Sequence, residues 1–197
     1  MILYDNPVSP FCRKVLVLAH ETGQMDGIET AAAVGSPIDS TQMPVDHNPL
    51  GKIPTLVLSD GSTLYDSRVI CRYLDDQSGG AFYPKDTLYQ TLRREALADG
   101  VMDAAVLMVY EFRARPEGER SSAMVEAMWA KVTRALDQFE AEGVATGFDM
   151  SHIALACALG YLNFRQPDRD WATSRPKLAT WFAEVSTRSS LAKTAPA

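Results

Sequence analysis

The chain has 197 residues, 46% of them apolar and 22% charged, with a formal net charge of −6. This is an ordinary globular composition, long enough for one large core or two small ones. The acidic balance disfavours nonspecific binding to nucleic acid and to anionic membrane surfaces. No basic-then-apolar leader is visible at the start, and no run of about 18 apolar residues predicts a membrane-spanning helix. Cys12, Cys71 and Cys157 are odd in number and far apart. That argues against a disulfide framework and fits a reducing, cytoplasmic compartment. His20, His47 and His152 lack any ligand spacing, so no metal is expected.

The first third alternates strand and helix signals. Ile2-Leu3-Tyr4 reads as a strand and residues 6–10 as a turn. Residues 11–22 have helical apolar spacing, with Gly23 as a stop. Residues 28–34 form a weak second strand. Residues 35–48 are polar and contain prolines, which predicts a loop with one helical turn at most. Asp60-Gly61 between the apolar runs 55–58 and 62–65 signals a hairpin. Asp66-Ser67 then opens a helix with Val69, Ile70, Tyr73 and Leu74 on one face. Residues 78–86 read as a linker, and beyond them strand signals vanish. Helical patterns cover 87–113, 119–142, the strongly apolar 151–164, and 175–188 with Pro176 in its first turn. The implied organisation is an α/β domain over 1–77, a linker over 78–86 and an all-α helical bundle over 87–197.

Three segments of the first domain carry candidate chemistry. In Ser9-Pro10-Phe11-Cys12-Arg13-Lys14, a hydroxyl stands at a helix N-terminus, where backbone N–H groups and the helix dipole favour an anion such as a thiolate. The spacing is that of a C-x-x-C redox motif with serine in place of the first cysteine, which removes dithiol chemistry. Serine is also a preferred N-cap, and capping alone accounts for it equally simply. In Asn48-Pro49-Leu50-Gly51-Lys52-Ile53-Pro54-Thr55, a proline enters a strand. A cis Ile53–Pro54 bond would turn the Ile53 backbone N–H and C=O outward to pair with an extended peptide. A trans bond would make this an ordinary loop. Asp66-Ser67 sets a carboxylate beside helix N–H groups. That pairing suits the zwitterionic end of an amino acid, or serves only as an N-cap. Cys12 and Cys71 fall within helical patterns as small buried hydrophobes. His47 is a loop residue within reach of a ligand carboxylate or simply solvated.

In order and spacing these segments resemble the glutathione-binding pattern of the glutathione transferases, especially the bacterial serine-type members. The resemblance rests on S-P-F-C-R-K-V (residues 9–15), N-P-L-G-K-I-P-T-L (48–56) and D-S-R-V-I-C-R-Y-L (66–74). A-D-G-V-M-D-A-A (98–105) and I-A-L-A-C-A-L-G-Y-L-N-F-R (153–165) extend it into the helical part. It implies a thioredoxin-like N-terminal domain and a helical-bundle C-terminal domain. Ser9 would hydrogen-bond the glutathione thiolate. Ile53, next to cis-Pro54, would pair its backbone with the cysteinyl unit. Asp66 and Ser67 would hold the γ-glutamyl end, and Lys52 and His47 would approach the glycyl carboxylate. The electrophile pocket would lie between the domains, lined by Phe11, Met102, Ala105, Val106 and Tyr110. The implied activity is conjugation of glutathione, as co-substrate, to small hydrophobic electrophiles by a cytoplasmic homodimer with a detoxification role. The alternatives are a non-catalytic glutathione-binding or regulatory protein of the same fold, and a glutathione-dependent peroxidase or reductase. Adduct reduction would want a cysteine at position 9. Two residues depart from the family pattern. Asp66 stands where many relatives carry glutamate, and Asp149 with His152 replaces a Ser/Thr-x-x-Asp capping box, with His152 expected to be the poorer reciprocal acceptor.

Overall fold

In chain order the protein runs β1 (Ile2–Asp5), α1 (Pro10–Glu21), β2 (Glu29–Ala32), β3 (Val34–Ser36), β4 (Asp39–Gln42), β5 (Thr55–Val57), β6 (Thr63–Leu64) and α2 (Ser67–Gln77). Five helices follow: α3 (Leu88–Ala114), α4 (Ser122–Glu142), α5 (Met150–Arg165), α6 (Pro176–Val185) and α7 (Ser189–Lys193). The structure, a computed structural model, describes residues 1–144 and 147–196. Ala145, Thr146 and Ala197 fall within the expected helical domain but lie outside the described residues.

β1 pairs parallel with β2 and antiparallel with β5, and β5 pairs antiparallel with β6, giving the order β2-β1-β5-β6. Leu3 of β1 stands opposite Leu56 of β5. Both are fully buried and join Val15, Leu18, Ile70 and Leu74 of α1 and α2 in the core. Each such side chain removed from water contributes about 1.5–3 kcal/mol. A mixed sheet followed by helices is the thioredoxin-like and helical-bundle arrangement that the sequence implies.

Three local expectations change. The segment 35–48 keeps the single helical turn, the Asn48 N–H donating to the Pro44 carbonyl at 2.8 Å, but its first part is not loop: it forms the antiparallel pair β3–β4, whose Gly, Ser, Asp and Gln residues carry no period-2 apolar signal. The Asp39 carboxylate braces the turn by accepting from the Thr41 N–H and hydroxyl at 3.0 and 2.7 Å. The last helical pattern, 175–188, ends early at Val185, and a further short helix, α7, begins beyond it at Ser189. Residues 78–86 are more than a spacer. The buried Asp75 carboxylate accepts the Phe82 and Tyr83 N–H groups at 2.8 and 3.1 Å, and the Tyr83 side chain is buried.

α5 is buried along almost its whole length and is flanked by α1 and α3. Its start shows why His152 serves better than expected. Asp149 accepts the Ser151 and His152 N–H groups, and His152 Nδ1 closes the capping box, 3.2 Å from the Asp149 backbone nitrogen and 2.7 Å from the Asp149 carboxylate. An imidazole ring nitrogen one turn on reaches the same donor that a carboxylate would. The Thr91 hydroxyl of α3 donates to the other Asp149 oxygen at 2.9 Å, so the cap also joins two helices. Burial raises the Asp149 pKa, but the hydrogen bonds from His152 and Ser151 outweigh it and hold the carboxyl below its ordinary range.

Where α1 meets α3, Lys14 is completely buried. Its ammonium donates to Glu95 Oε1 at 3.0 Å and to the two Asp99 oxygens at 2.8 and 3.0 Å. Glu95 and Asp99 are four residues apart, so both point from one face of α3. The Tyr83 hydroxyl lies 3.1 and 3.0 Å from the Glu95 oxygens, and Arg68 Nε lies 3.6 Å from Asp99. The buried ammonium thus sits between two buried carboxylates, and the exposed Arg68 offsets their remaining charge from the surface. Burial alone would lower the Lys14 pKa, but the charge of Asp99, with that of Glu95, reverses this and keeps the ammonium charged.

Two outcomes follow. Lys14→Met leaves two buried carboxylates unpaired, and unfolding in urea should show a loss of about 3–5 kcal/mol at neutral pH. The loss should shrink as pH falls and those carboxyls take up protons; an unchanged midpoint would refute this account. Asp149→Ala should cost about 1–2 kcal/mol of cap energy. The folded pKa of Asp149 is depressed, so its contribution is present above the unfolded carboxyl value near 4 and fades as pH falls toward the folded one. The wild-type minus variant stability difference, measured from pH 7 down to pH 2, should narrow over that window.

Candidate functional site

The sheet topology gathers the three candidate segments. β1 and β5 are antiparallel, with Tyr4 opposite Thr55, so the turn that leaves β1 lies beside the loop that enters β5. β6 runs antiparallel to β5, with Leu64 opposite Leu56, which brings the start of α2 to the same end. Ser9, Ile53-Pro54 and Asp66-Ser67 thus share one end of the sheet.

The Asn6 side chain accepts the Val8 N–H at 3.1 Å and donates to the Ala33 carbonyl at 3.0 Å, which holds the turn before α1. Ser9 caps α1: its backbone is extended and its Oγ accepts the Cys12 N–H at 3.3 Å. Accepting one N–H uses a lone pair only, so the half-buried hydroxyl keeps its proton to donate.

The loop before β5 is organised by Asn48, a buried residue whose part the sequence motif did not reveal. Asn48 donates to the Lys52 carbonyl at 3.0 Å and to Thr55 Oγ1 at 3.1 Å, and accepts the Leu50 N–H at 3.1 Å. Gly51 takes a φ of +57°, a left-handed turn that a side chain would resist. The Ile53–Pro54 peptide is cis, and among the described residues neither the N–H nor the C=O of Ile53 finds a partner. Lys52 projects into solvent, and the half-buried His47 ring packs against Tyr4 with centroids 5.3 Å apart.

Asp66 caps α2, accepting the Arg68 N–H at 3.0 Å, and pairs with the Arg68 guanidinium at 3.1 Å. Burial raises its pKa, but Arg68 lowers it further, so the carboxylate stays ionised. Ser67 is buried beside it, and the Tyr65–Asp66 peptide is also cis. From α3, Asp103 faces this edge. Burial and the Asp99 charge raise its pKa against the pull of Arg68 and Lys52.

The expected pocket face of α3 needs one correction. Met102 and Ala105 are fully buried in the core and present nothing to a pocket, because they lie on the face packed into the helical bundle. Val106 and Tyr110, one turn apart on the neighbouring face, are half-buried, as is Phe11 on α1. Beside Ser9, Val8 and Arg13 meet Cys157 and Tyr161 of α5 and Pro196, with no space left for a water molecule. Tyr161 was not singled out in the sequence, where it sits in an otherwise apolar helix. All three cysteines are buried. Burial, with the Asp5 charge, pushes the Cys12 thiol well up, and burial takes Cys157 to about 11, so neither supplies a thiolate near neutrality. Among the described residues no group of three His, Cys, Asp or Glu side chains is placed to hold a metal ion, and no helix is long and apolar enough to cross a membrane.

Residues 8–77 match the family description "Glutathione S-transferase, N-terminal domain", and residues 122–184 match "Glutathione S-transferase, C-terminal domain". The chain belongs to the glutathione S-transferase family. It is 35% identical to an uncharacterized GST-like protein, YibF, of Escherichia coli (strain K12), over 100% of this chain and 98% of that one. A glutathione transferase family member from Pseudomonas fluorescens Pf-5, solved with bound glutathione, has a TM-score of 0.97 at 44% identity, covering 100% of this chain and 98% of that one. A Pf-5 family member with bound S-(propanoic acid)-glutathione has a TM-score of 0.92 at 44% identity, with 100% of each chain covered. A glutathione S-transferase from Methylobacillus flagellatus KT with glutathione bound reaches 0.89 at 41% identity, over 100% of this chain and 99% of that one. In the transferase fold these matches share, the three convergent segments fall within the N-terminal match.

Proposed function

We propose that this transferase-family chain binds glutathione at the shared sheet end and conjugates its thiolate to small electrophiles. The observation that carries the reading is the convergence of three complementary groups. The Ser9 hydroxyl offers a donor at a helix start, Ile53 offers an unpaired amide and carbonyl, and the ionised Asp66 stands beside Ser67 at a second helix start. A tripeptide that carries a thiol in the middle and a zwitterionic amino-acid end needs such a set. The relatives solved with glutathione, at 44% and 41% identity, support it.

In this reading Ile53, beside cis-Pro54, pairs with the cysteinyl backbone, and Asp66 and Ser67 hold the γ-glutamyl end. Lys52 lies toward the glycyl carboxylate. Phe11, Val106 and Tyr110 border the acceptor, with Met102 as packing behind them. Residues 1–77 bind glutathione, 78–86 connect, and 87–197 supply the acceptor side; a homodimer in the cytoplasm is part of the proposal. A free thiol with a pKa near 8.5 is only about 3% ionised at pH 7. The Ser9 O–H and the N-terminus of α1 stabilise the thiolate, and lowering its pKa by about two units is worth roughly 2.7 kcal/mol. The thiol proton passes to solvent, the thiolate pair forms the S–C bond, and on an aryl halide the halide leaves with the C–halogen pair. Serine at position 9 cannot form a mixed disulfide, which disfavours a disulfide-reductase role.

Ser9→Ala removes the hydroxyl but leaves the helix N–H groups. The pH–rate profile for conjugation of an aryl halide should move to higher pH, while the glutathione Kd changes little. A wild-type rate with an unshifted profile would mean that another group activates the thiol. Asp66→Asn keeps a competent cap and removes the charge. By calorimetry it should weaken glutathione tenfold or more, since a charge-assisted contact contributes about 1.5–3 kcal/mol. An unchanged Kd with an unchanged melting temperature would leave Asp66 as a helix cap only.

A further inference from the structure

One side chain ties the first turn of α1 to two distant parts of the chain. Arg13 is buried one turn after Ser9, and its backbone N–H donates to the Ser9 carbonyl at 3.0 Å. Its guanidinium reaches α7, where Nη2 donates to the Leu191 carbonyl at 3.0 Å and Nε to Thr194 Oγ1 at 3.4 Å. The Thr194 hydroxyl is free to accept, because its own proton goes to the Ser190 carbonyl at 2.8 Å. On α5 the guanidinium lies against Gly160, where a Cβ would collide with Nη1.

α7 runs back along α1. Its start is pinned at the other end of that helix, where Glu21 accepts from the Arg188 guanidinium at 3.1 and 2.6 Å and from the Ser190 hydroxyl. Glu21 lies about 12 Å along α1 from Arg13. Beyond Thr194, Pro196 packs with Pro7, Val8, Ser9, Pro10 and Tyr161 so closely that no water-sized space remains. The turn that carries Ser9 is thus held from two sides. Asn6 braces it through the Ala33 carbonyl and the Val8 N–H, and Arg13 fixes α5 and α7 against the other flank. Nη1 makes no hydrogen bond among the described residues. For packing alone, an apolar side chain would fill the space without a desolvated charge. What the planar fork adds is direction: two donors held at a fixed angle toward one helix while the third nitrogen abuts another.

We propose that Arg13 is a positioning residue for Ser9: by locking α1 to α5 and α7 it fixes the first turn of α1, and with it the line along which the Ser9 hydroxyl donates to the glutathione thiolate. This deepens the glutathione reading and rests on it. Arg13 acts through Ser9, touches no substrate and transfers no proton. A hydrogen bond weakens steeply as its angle closes, so a loosened turn loses thiolate stabilisation before it loses the binding of the peptide. The other ionisable groups around the turn are Asp5 on β1, Cys12 on α1, and Cys157 and Tyr161 on α5. Burial pushes Cys12, Cys157 and Tyr161 up, so none of them ionises near neutrality, and it raises the Asp5 carboxyl as well.

The experiment follows kcat/KM for an aryl halide against pH with glutathione saturating, which reports the ionisation of the bound thiol. Arg13→Met should move the profile to higher pH, lowering the rate near neutrality about threefold to tenfold and leaving it close to wild type at alkaline pH. S-methylglutathione, which carries no thiol, should bind within about twofold of wild type by calorimetry. Gly160→Ala leaves Arg13 and its charge in place but pushes Nη1 aside. It should shift the profile in the same direction although alanine is the better helix former, and it tests the inference even where Arg13→Met folds poorly. Combined with Ser9→Ala, it should add little to the shift of Ser9→Ala alone. A lowered melting temperature with an unmoved profile would leave Arg13 as packing only and overturn the inference. An unshifted Gly160→Ala beside a shifted Arg13→Met would overturn it too, since the charge would then act directly, as would a shift fully additive with that of Ser9→Ala. In each of these cases glutathione still binds and the glutathione reading stands; a wild type that does not bind glutathione would remove both.

Discussion

The rest of the structure depends on one buried ammonium. Lys14 leaves α1 five residues after Ser9 and ends between Glu95 and Asp99 of α3. A charge with no exposed surface tolerates no slack. If α1 slid or rotated against α3, three ions would be left dry and unpaired, at a cost of several kcal/mol. The exposed Arg68 reaches Asp99 from the surface side, and the Tyr83 hydroxyl occupies another face of Glu95. The sheet-bearing and helical parts of the chain are thereby held in one register. That register matters for the proposed function, in which the glutathione groups lie on the first part and the acceptor side on the second.

The same network extends to the edge of the site. Arg68 lies between Asp99 and Asp66, pairing with the first at 3.6 Å and with the second at 3.1 Å. The Asp66 carboxylate therefore has its orientation set from two directions, by the Arg68 backbone N–H at the helix start and by a side chain tied to the interior. A group that reads a substrate's charge is more selective when its own geometry is fixed before the substrate arrives, since less ordering remains to be done on binding.

What could be read from the sequence divides along physical lines. Helices α1 to α5 and the β5–β6 hairpin were legible because turn and cap chemistry is local, whereas the convergence of Ser9, Pro54 and Asp66 followed only from the family resemblance. An Asp-Gly turn, a Ser-Pro start and an Asp-Ser start each announce themselves within four residues. The β3–β4 pair was not legible, because its strands are three and four residues long and made of small polar residues. Lys14 gave no sign either. Within α1 it looks like any solvated lysine, and only Glu95 and Asp99, some 80 residues on, make its burial possible. Met102 was placed at the pocket because spacing on a helix identifies an apolar face but does not say which neighbour covers it; α5 and the rest of the bundle do. Asn48 was hidden for a similar reason: its work is to hold backbone groups of a loop whose path the sequence does not state.

The capping residues raise the sharpest question, since Ser9 and Asp66 are both explained as helix caps without any ligand. The geometry shows that the two roles do not compete. Ser9 Oγ accepts one N–H and still has a proton to give. Asp66 divides its oxygens between a backbone N–H and a guanidinium, and its side chain remains more than half exposed. A cap can occur at any helix start, so neither residue alone distinguishes a fold from a site. The distinction comes from Ile53. Its amide and carbonyl, unpaired beside a strand that pairs its own backbone groups, do nothing for the stability of the protein. Backbone groups at a half-buried position are normally satisfied within the fold. Two left without a partner among the described residues, between two helix starts, form a row of polar groups that the proposed extended tripeptide would complete.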